Sequence, residues 1–499
     1  MMKTNHLSIL TLAALFTFLT VHAENVVICP EPTSCEMEQT TYLSLKKVSV
    51  ACADKTASVW AEKHLKEWYG KQAPQVVTTS RFIAPMGEEA YELNVRENEV
   101  EITAKTLQGI RYALYSLRQL AIPQRGTQKV EGWIVPRTSI KDRPDMSFRG
   151  IHICWFHETE PWEIERLIRL AAYYKLNYAV VESWGTFRSD VAPWYGWPDG
   201  TMTKKEIKRL RRIADDLGIT LIPQINAFGH ATASRGGAGK HSSLEMNPEY
   251  QPLFEPLNGW NWCLSNPETR KLLTSLIAEM HEAFGNPPYF HIGCDEAAPP
   301  TCPQCSARPY SELFLEHIKA MNDAISARGA KTMMWHDMLL QSGDKRWEGF
   351  YANGTPETAS GFLKFPRDII ICDWYYDGAK EAYPTLDYFK DLGFHVLTCP
   401  WMNTKGIISQ GRYASKAGID GILGTTWHHN FGQDLVNICF TLANVAWKAQ
   451  SSFSMSGGWG YSEYVRHHLR QMGWDMKTRD PRHTGIYYDE IPPEPFLNN

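Results

Sequence analysis

The chain has 499 residues, of which 43% are hydrophobic, 12% aromatic and 21% charged. That composition belongs to an ordinary globular protein and excludes disordered, fibrous and coiled-coil classes. Lys+Arg 51 against Asp+Glu 55 gives a net charge of −4, which leaves no basic field for nucleic acid and no polybasic patch for a membrane.

Residues 1–23 read as a secretory signal peptide: Lys3 gives a positive start, an apolar run follows, and Val21-His22-Ala23 suits a small-residue cleavage site. The run is shorter than the roughly 20 residues a spanning helix needs, so the expectation is export, periplasmic or secreted, rather than anchoring. Residues 24–143 are expected to form a small α+β support domain. Within it, residues 56–69 have helical spacing with Val59, Leu65 and Trp68 on one face. Residues 91–95 and 100–104 alternate as a hairpin, and residues 107–120 form a second helix with Ile110, Leu114 and Leu117 together.

From Phe148 the pattern changes to short apolar runs at 148–153, 178–182, 220–225, 289–294, 331–336, 368–374, 395–399 and 421–427. Amphipathic segments at 162–174, 204–217, 268–284 and 310–327 lie between several of them. Strand and helix in alternation imply a parallel sheet, and eight repeats match a (β/α)8 TIM barrel of about 250 residues. The predicted fold is therefore α/β, a TIM barrel over 144–450 preceded by the α+β domain. Residues 451–499 are read as an extension that packs on the barrel or makes an oligomer contact. A doubly wound sheet would usually open on a Gly-rich phosphate loop, and Arg149-Gly150-Ile151-His152 is not one.

A barrel puts its active site at the C-terminal ends of the strands. Those ends carry Trp155 and His157, Glu182 and Trp184, Asn226 and His230, Asp295 and Glu296, Trp335 and Asp337, Trp374, Trp401, then Trp427 and His429. Acids and tryptophans thus collect at one rim, and flat aromatic faces are good surfaces for sugar rings. Asp295 and Glu296 are the most informative pair. Like-charge neighbours with partial burial should raise one pKa. Strand neighbours point to opposite faces, so both can meet one ligand only if the chain leaves β geometry there. Helix capping and metal binding are the other readings of the pair. Cys302 and Cys305 form the one motif-like pair among eleven cysteines. Zinc would need further ligands, with Cys294 the only nearby candidate, so a local disulfide or two plain thiols is expected.

The segment His291-Ile292-Gly293-Cys294-Asp295-Glu296 resembles the H-I-G-G-D-E signature of glycoside hydrolase family 20, the β-N-acetylhexosaminidases. Asp142-Arg143-Pro144 with Phe148-Arg149-Gly150, the segment Ile222 to His230, Trp335-His336-Asp337 and Trp427 are similar to further motifs of that family, in order. The resemblance implies an exo-acting hydrolase of terminal β-linked N-acetylhexosamine. Glu296 would be the general acid/base, and Asp295 would hold the 2-acetamido group so that its carbonyl oxygen attacks the anomeric carbon, a departure from the usual two-carboxylate scheme. It implies that Arg149 holds ring hydroxyls and that Trp335, Trp374 and Trp427 wall the pocket. Asn226, His230, Asp337, Trp401 and His429 complete the candidate binding set. No cofactor and no metal is expected, and the expected partner is a carbohydrate.

Several positions depart from the family's pattern. Gln224 and Asn226 stand where acids are common on the third strand, and Cys154 and His157 where an Asp and an Arg are common on the first. Trp401-Met402-Asn403 replaces a Tyr-x-Asp, and His429 stands for an acid. With Glu182 and the Cys pair, these look closer to the hexosaminidase D-like branch. A catalytically silent sugar-binding relative and a metal-dependent hydrolase are the rival readings.

Overall fold

The computed structural model describes residues 27–79, 86–125, 130–157, 159–232, 243–256, 259–427, 432–451 and 468. The segment 1–23 expected to be a signal peptide, His429 and nearly all of the expected 451–499 extension lie outside the described residues. No described helix is long and apolar enough to cross a membrane.

The first unit is one sheet with two helices. Its strands are β1 (Ser34–Ser44), β2 (Ser49–Cys52), β3 (Gln75–Thr78), β4 (Tyr91–Val95), β5 (Glu99–Ala104), β6 (Ile122–Arg125) and β7 (Val130–Asp142). They run in the order β1-β7-β4-β5-β2-β3, with β6 also paired to β7. Helix α1 (Lys55–Tyr69) starts on Asp54, whose side chain accepts from Ala57 N, and α2 (Leu107–Leu120) starts on Thr106, which accepts from Gly109 N. The α2 face carries Ile110, Leu114 and Leu117 inward as predicted. The α1 face does not match its prediction, because Val59 is 61% exposed. Ala57, Trp60, Ala61 and Leu65 are the buried stripe instead, and at 3.6 residues per turn Val59 falls outside it.

The second unit is a closed barrel of eight strands: β8 (Phe148–Trp155), β9 (Tyr178–Ser183), β10 (Thr220–Gln224), β11 (Tyr289–His291), β12 (Lys331–Trp335), β13 (Ile370–Tyr375), β14 (His395–Pro400) and β15 (Gly421–Thr425). Every neighbouring pair is parallel. Around it lie α3 (Pro161–Tyr173), α4 (Lys204–Leu217), α5 (Ser243–Met246), α6 (Pro267–Ala283), α7 (Pro303–Ser306), α8 (Tyr310–Ser326), α9 (Pro356–Gly361), α10 (Pro384–Asp391), α11 (Thr404–Ala417) and α12 (Gly432–Trp447). Strands β8, β13 and β15 are covered on both faces and buried along their whole length, which is why they are mostly apolar and why the polar residues they do carry, such as Arg149, need partners.

Two buried cations seal the small domain to the barrel. Arg149, on the second residue of β8, donates to both oxygens of Glu89 (2.9 and 2.7 Å), to Tyr112 Oη (2.9 Å) and to the carbonyls of Met146 and Lys175. Lys175 donates to Tyr91 Oη at 2.8 Å and Asp142 Oδ2 at 3.2 Å. Arg149 therefore sits at the N-terminal end of its strand, with its guanidinium engaged at the seam. This corrects its expected role in holding sugar hydroxyls, since the rim lies at the other end of β8.

Candidate active site

The acid pair is presented by an abrupt end to β11. After His291 the backbone turns left-handed at Gly293 (φ 65°), Cys294 (φ 75°) and Glu296 (φ 47°). Glycine is required at 293 twice over: its φ is positive, and a Cβ there would lie 2.2 Å from Asn226 Oδ1. The predicted departure from β geometry is thus present, and it swings neighbouring side chains to one side. His230 Nε2 lies 3.3 Å from Asp295 Oδ2 and 3.4 Å from Glu296 Oε2, so both carboxylates converge on a single imidazole. Their surroundings differ. The Asp295 side chain is 7% exposed and that of Glu296 43% exposed. Asp295 Oδ1 is buried with no hydrogen-bond partner among the described residues.

The main chain under the pair is clamped from both sides. Glu296 N donates to Asp337 Oδ2 at 2.9 Å, and its carbonyl accepts from Trp260 Nε1 at 2.9 Å. Asn261 exchanges two hydrogen bonds with Ala298, at 2.5 and 3.2 Å. Asp337 also accepts from Asn353 Nδ2 (2.9 Å) and Trp374 Nε1 (3.4 Å). Burial, with the negative charge of Asp295 added, pushes the Asp337 carboxyl up to about 7. Burial likewise pushes Asp373 up to about 7. His291 is held well below its ordinary value by burial, and its Nδ1 accepts from Gly293 N at 3.0 Å, which keeps the ring neutral under the turn.

Aromatic rings form a wall beside the acids. Trp335, at the end of β12, lies 5.7 Å from Trp427 between centroids, and Trp374 stacks on Tyr376 at 5.0 Å. Tyr376 meets Trp401 edge-on at 5.3 Å and accepts from Trp427 Nε1 at 2.9 Å. Tyr376 was not among the sequence candidates. It follows β13 immediately, and burial, with Asp295 contributing, holds its phenol well above the ordinary value. Trp260 is the other missed residue: it packs on His230 at 4.3 Å from a loop with no periodic signal. Asn226 lies one layer deeper than expected, donating to Glu182 Oε1 at 2.8 Å. Glu182 also meets His152 Nε2 at 2.7 Å. A buried carboxylate on the second strand thus sits beside Asn226 at the end of the third. His157 is exposed and rests against Trp197 at 5.0 Å.

Cys302 and Cys305 are not bridged to each other or to another cysteine. The sulfur that joins them is Cys263, not Cys294, whose Sγ donates to Ile292 O at 3.3 Å.

The architecture is a parallel eight-stranded barrel with paired acids at its rim and a small sheet domain before it. Sequence models agree: residues 139–431 match the glycosyl hydrolase family 20 catalytic domain and residues 25–143 match domain 2 of the same family. The chain belongs to glycosyl hydrolase family 20. It is 25% identical to a beta-hexosaminidase of Vibrio furnissii over 412 residues, 74% of this chain and 61% of that protein. It is 24% identical to a lacto-N-biosidase of Bifidobacterium bifidum over 60% of this chain and 25% of that one. The chain thus spans less than two thirds of the length of both relatives. An exo beta-N-acetylglucosaminidase of Vibrio harveyi, solved with N-acetylglucosamine, superposes with a TM-score of 0.67 at 19% identity, covering 90% of this chain and 77% of that one. An N-acetyl-beta-hexosaminidase of Streptomyces plicatus gives 0.64 at 17% identity, covering 90% and 95%. At these identities the two structures speak for the fold.

Proposed function

We propose that the protein is an exo-acting glycoside hydrolase that removes terminal β-linked N-acetylhexosamine by substrate-assisted, retaining hydrolysis. The observation that carries this is the division of labour between adjacent acids. Glu296 is half-exposed, as an acid must be to protonate a leaving glycosidic oxygen and then deprotonate water. Asp295 is buried and offers an unpartnered acceptor, Oδ1, suited to an amide N–H. With the amide so held, its carbonyl oxygen attacks the anomeric carbon and the C1–O bond to the leaving group breaks. The substrate supplies the nucleophile, so the protein needs no second nucleophilic carboxylate across the site. His230 bridges the two acids, and Trp374, Tyr376, Trp401 and Trp427 supply apolar faces for the ring and the acetamido methyl, backed by Trp335, which is fully buried behind Trp427 rather than open to a ligand. Activity outside the cytoplasm, argued from residues 1–23, belongs to the same proposal.

The test is a panel of chromogenic N-acetylglucosaminide, N-acetylgalactosaminide and non-acetylated glycosides with wild type and Glu296→Gln. The expected result is turnover confined to acetamido sugars, with kcat lower by about 10² to 10⁴ in the variant. Equal turnover of non-acetylated glycosides, or sugar binding by wild type without turnover, would overturn the proposal.

A further inference from the structure

Two rim loops meet beside the acid pair and bring four metal-binding side chains together. The loop after β10 contributes Glu255 and Cys263, and the loop after β11 contributes Cys302 and Cys305. Cys263 Sγ lies 3.7 Å from Cys302 Sγ and 3.7 Å from Cys305 Sγ. One Glu255 carboxylate oxygen and the three sulfurs all fall within 4.8 Å of one another. Disulfide sulfurs sit about 2.05 Å apart, so these are not bonded pairs. Two ligands of a tetrahedral zinc at 2.3 Å, by contrast, are separated by about 3.8 Å.

The polar surroundings fit a bound cation. Glu255 Oε2 accepts from Thr301 N and Cys302 N, each at 2.7 Å, which aims the carboxylate from the backbone. Its other oxygen, Oε1, is buried with no hydrogen-bond partner among the described residues. Cys305 N donates to Cys302 Sγ at 3.3 Å, which fixes the turn that carries both sulfurs. Three thiols cannot all be used by one disulfide, whereas three sulfurs and one carboxylate fill a closed tetrahedral site. Thiolates also select zinc over the hard cations magnesium and calcium.

We propose that Glu255, Cys263, Cys302 and Cys305 bind one structural zinc ion that staples the two loops together. The loop holding Glu255 and Cys263 also carries Trp260 and Asn261, which hydrogen-bond Glu296 O and Ala298. The ion would therefore fix the strap that presents the acid pair while taking no part in the reaction, because no ligand position is left open for water or substrate. This assignment does not depend on the hydrolase reading, and its test is read without activity.

The full chain is purified in reducing buffer without chelator and its metal content measured by mass spectrometry. About one zinc per chain is expected. Cobalt(II) added to protein stripped of metal should give an intense near-ultraviolet thiolate band and the strong visible bands of tetrahedral cobalt. Cys263→Ser should lower zinc occupancy at least tenfold. If that variant does not fold, alkylation of the wild type decides: zinc should protect Cys263, Cys302 and Cys305 together. Metal content below a tenth of an ion per chain with no cobalt–thiolate band, undiminished zinc in Cys263→Ser, or a disulfide among the three cysteines in non-reduced peptides would overturn it.

Discussion

The sharpest test of how the acids are presented is Gly293→Ala. The added methyl meets two separate obstacles. A left-handed φ of 65° costs a non-glycine residue about 1–2 kcal/mol. The new Cβ would also sit 2.2 Å from Asn226 Oδ1, so Asn226 must rotate away. Rotation breaks its 2.8 Å hydrogen bond to the buried Glu182, which at a charged acceptor is worth about 1.5–3 kcal/mol. Together these give a loss of about 2.5–5 kcal/mol. With about 2.1 cal/mol/K of unfolding entropy per residue over a unit of roughly 300 residues, Tm falls by about 4–8 °C. The larger effect is on chemistry, because Asp295 and Glu296 follow directly, and a displacement of about 1 Å costs on the order of 10²-fold in rate. Calorimetry and kcat on a chromogenic N-acetylhexosaminide read both quantities. Adding Asn226→Ala to Gly293→Ala removes the collision, so the two substitutions should be less damaging together than their separate effects predict. A variant with kcat within twofold and Tm within about a degree of wild type would refute the reasoning.

Two further outcomes separate structural from substrate-facing roles. Arg149→Gln breaks a buried ion pair at the seam and should cost about 3 kcal/mol, lowering Tm by several degrees with KM unchanged, whereas a tenfold rise in KM at constant Tm would return Arg149 to the sugar pocket. Asp337 and Asp373 both titrate near 7 in the fold against 3.8 as ordinary carboxyls, so the folded state binds more protons between those values. Stability should then be highest at the acid side of that window, fall as pH rises towards about 7, and level off above it. Asp337→Asn should remove about half of that fall in melts taken across the window, and an unchanged slope would count against it.

The barrel was legible because its strands are covered on both faces and so appear as short, mostly apolar runs, several of them bounded by well-patterned helices. The small domain was legible only where one face is wet: β4 and β5 alternate cleanly, whereas the polar β1 and the mostly exposed β3 carry no comparable pattern. The acid pair and its aromatic wall followed from strand-end position and the family resemblance. The resemblance assigns Arg149 to the sugar, but strand direction assigns it to the opposite end: it is the second residue of β8, and at about 3.3 Å per residue the strand carries Trp155, not Arg149, to the rim. Cys263 was hidden by distance along the chain, since only folding brings it to the Cys302 turn. The role of Glu182 is not legible in sequence, because a buried charge depends on partners, here His152 and Asn226, that only the fold places beside it.

The seam between the two units has a consequence for anyone wishing to trim or recombine this protein. Arg149 and Lys175 belong to the barrel, yet their anions, Glu89 and Asp142, belong to the sheet that precedes it. Excising the leading unit would strand two cations beneath the barrel floor with no carboxylates to answer them. A chimera that borrows another relative's leading unit would have to bring an acid to each of those two places, so the pair of modules is, electrostatically, one indivisible piece.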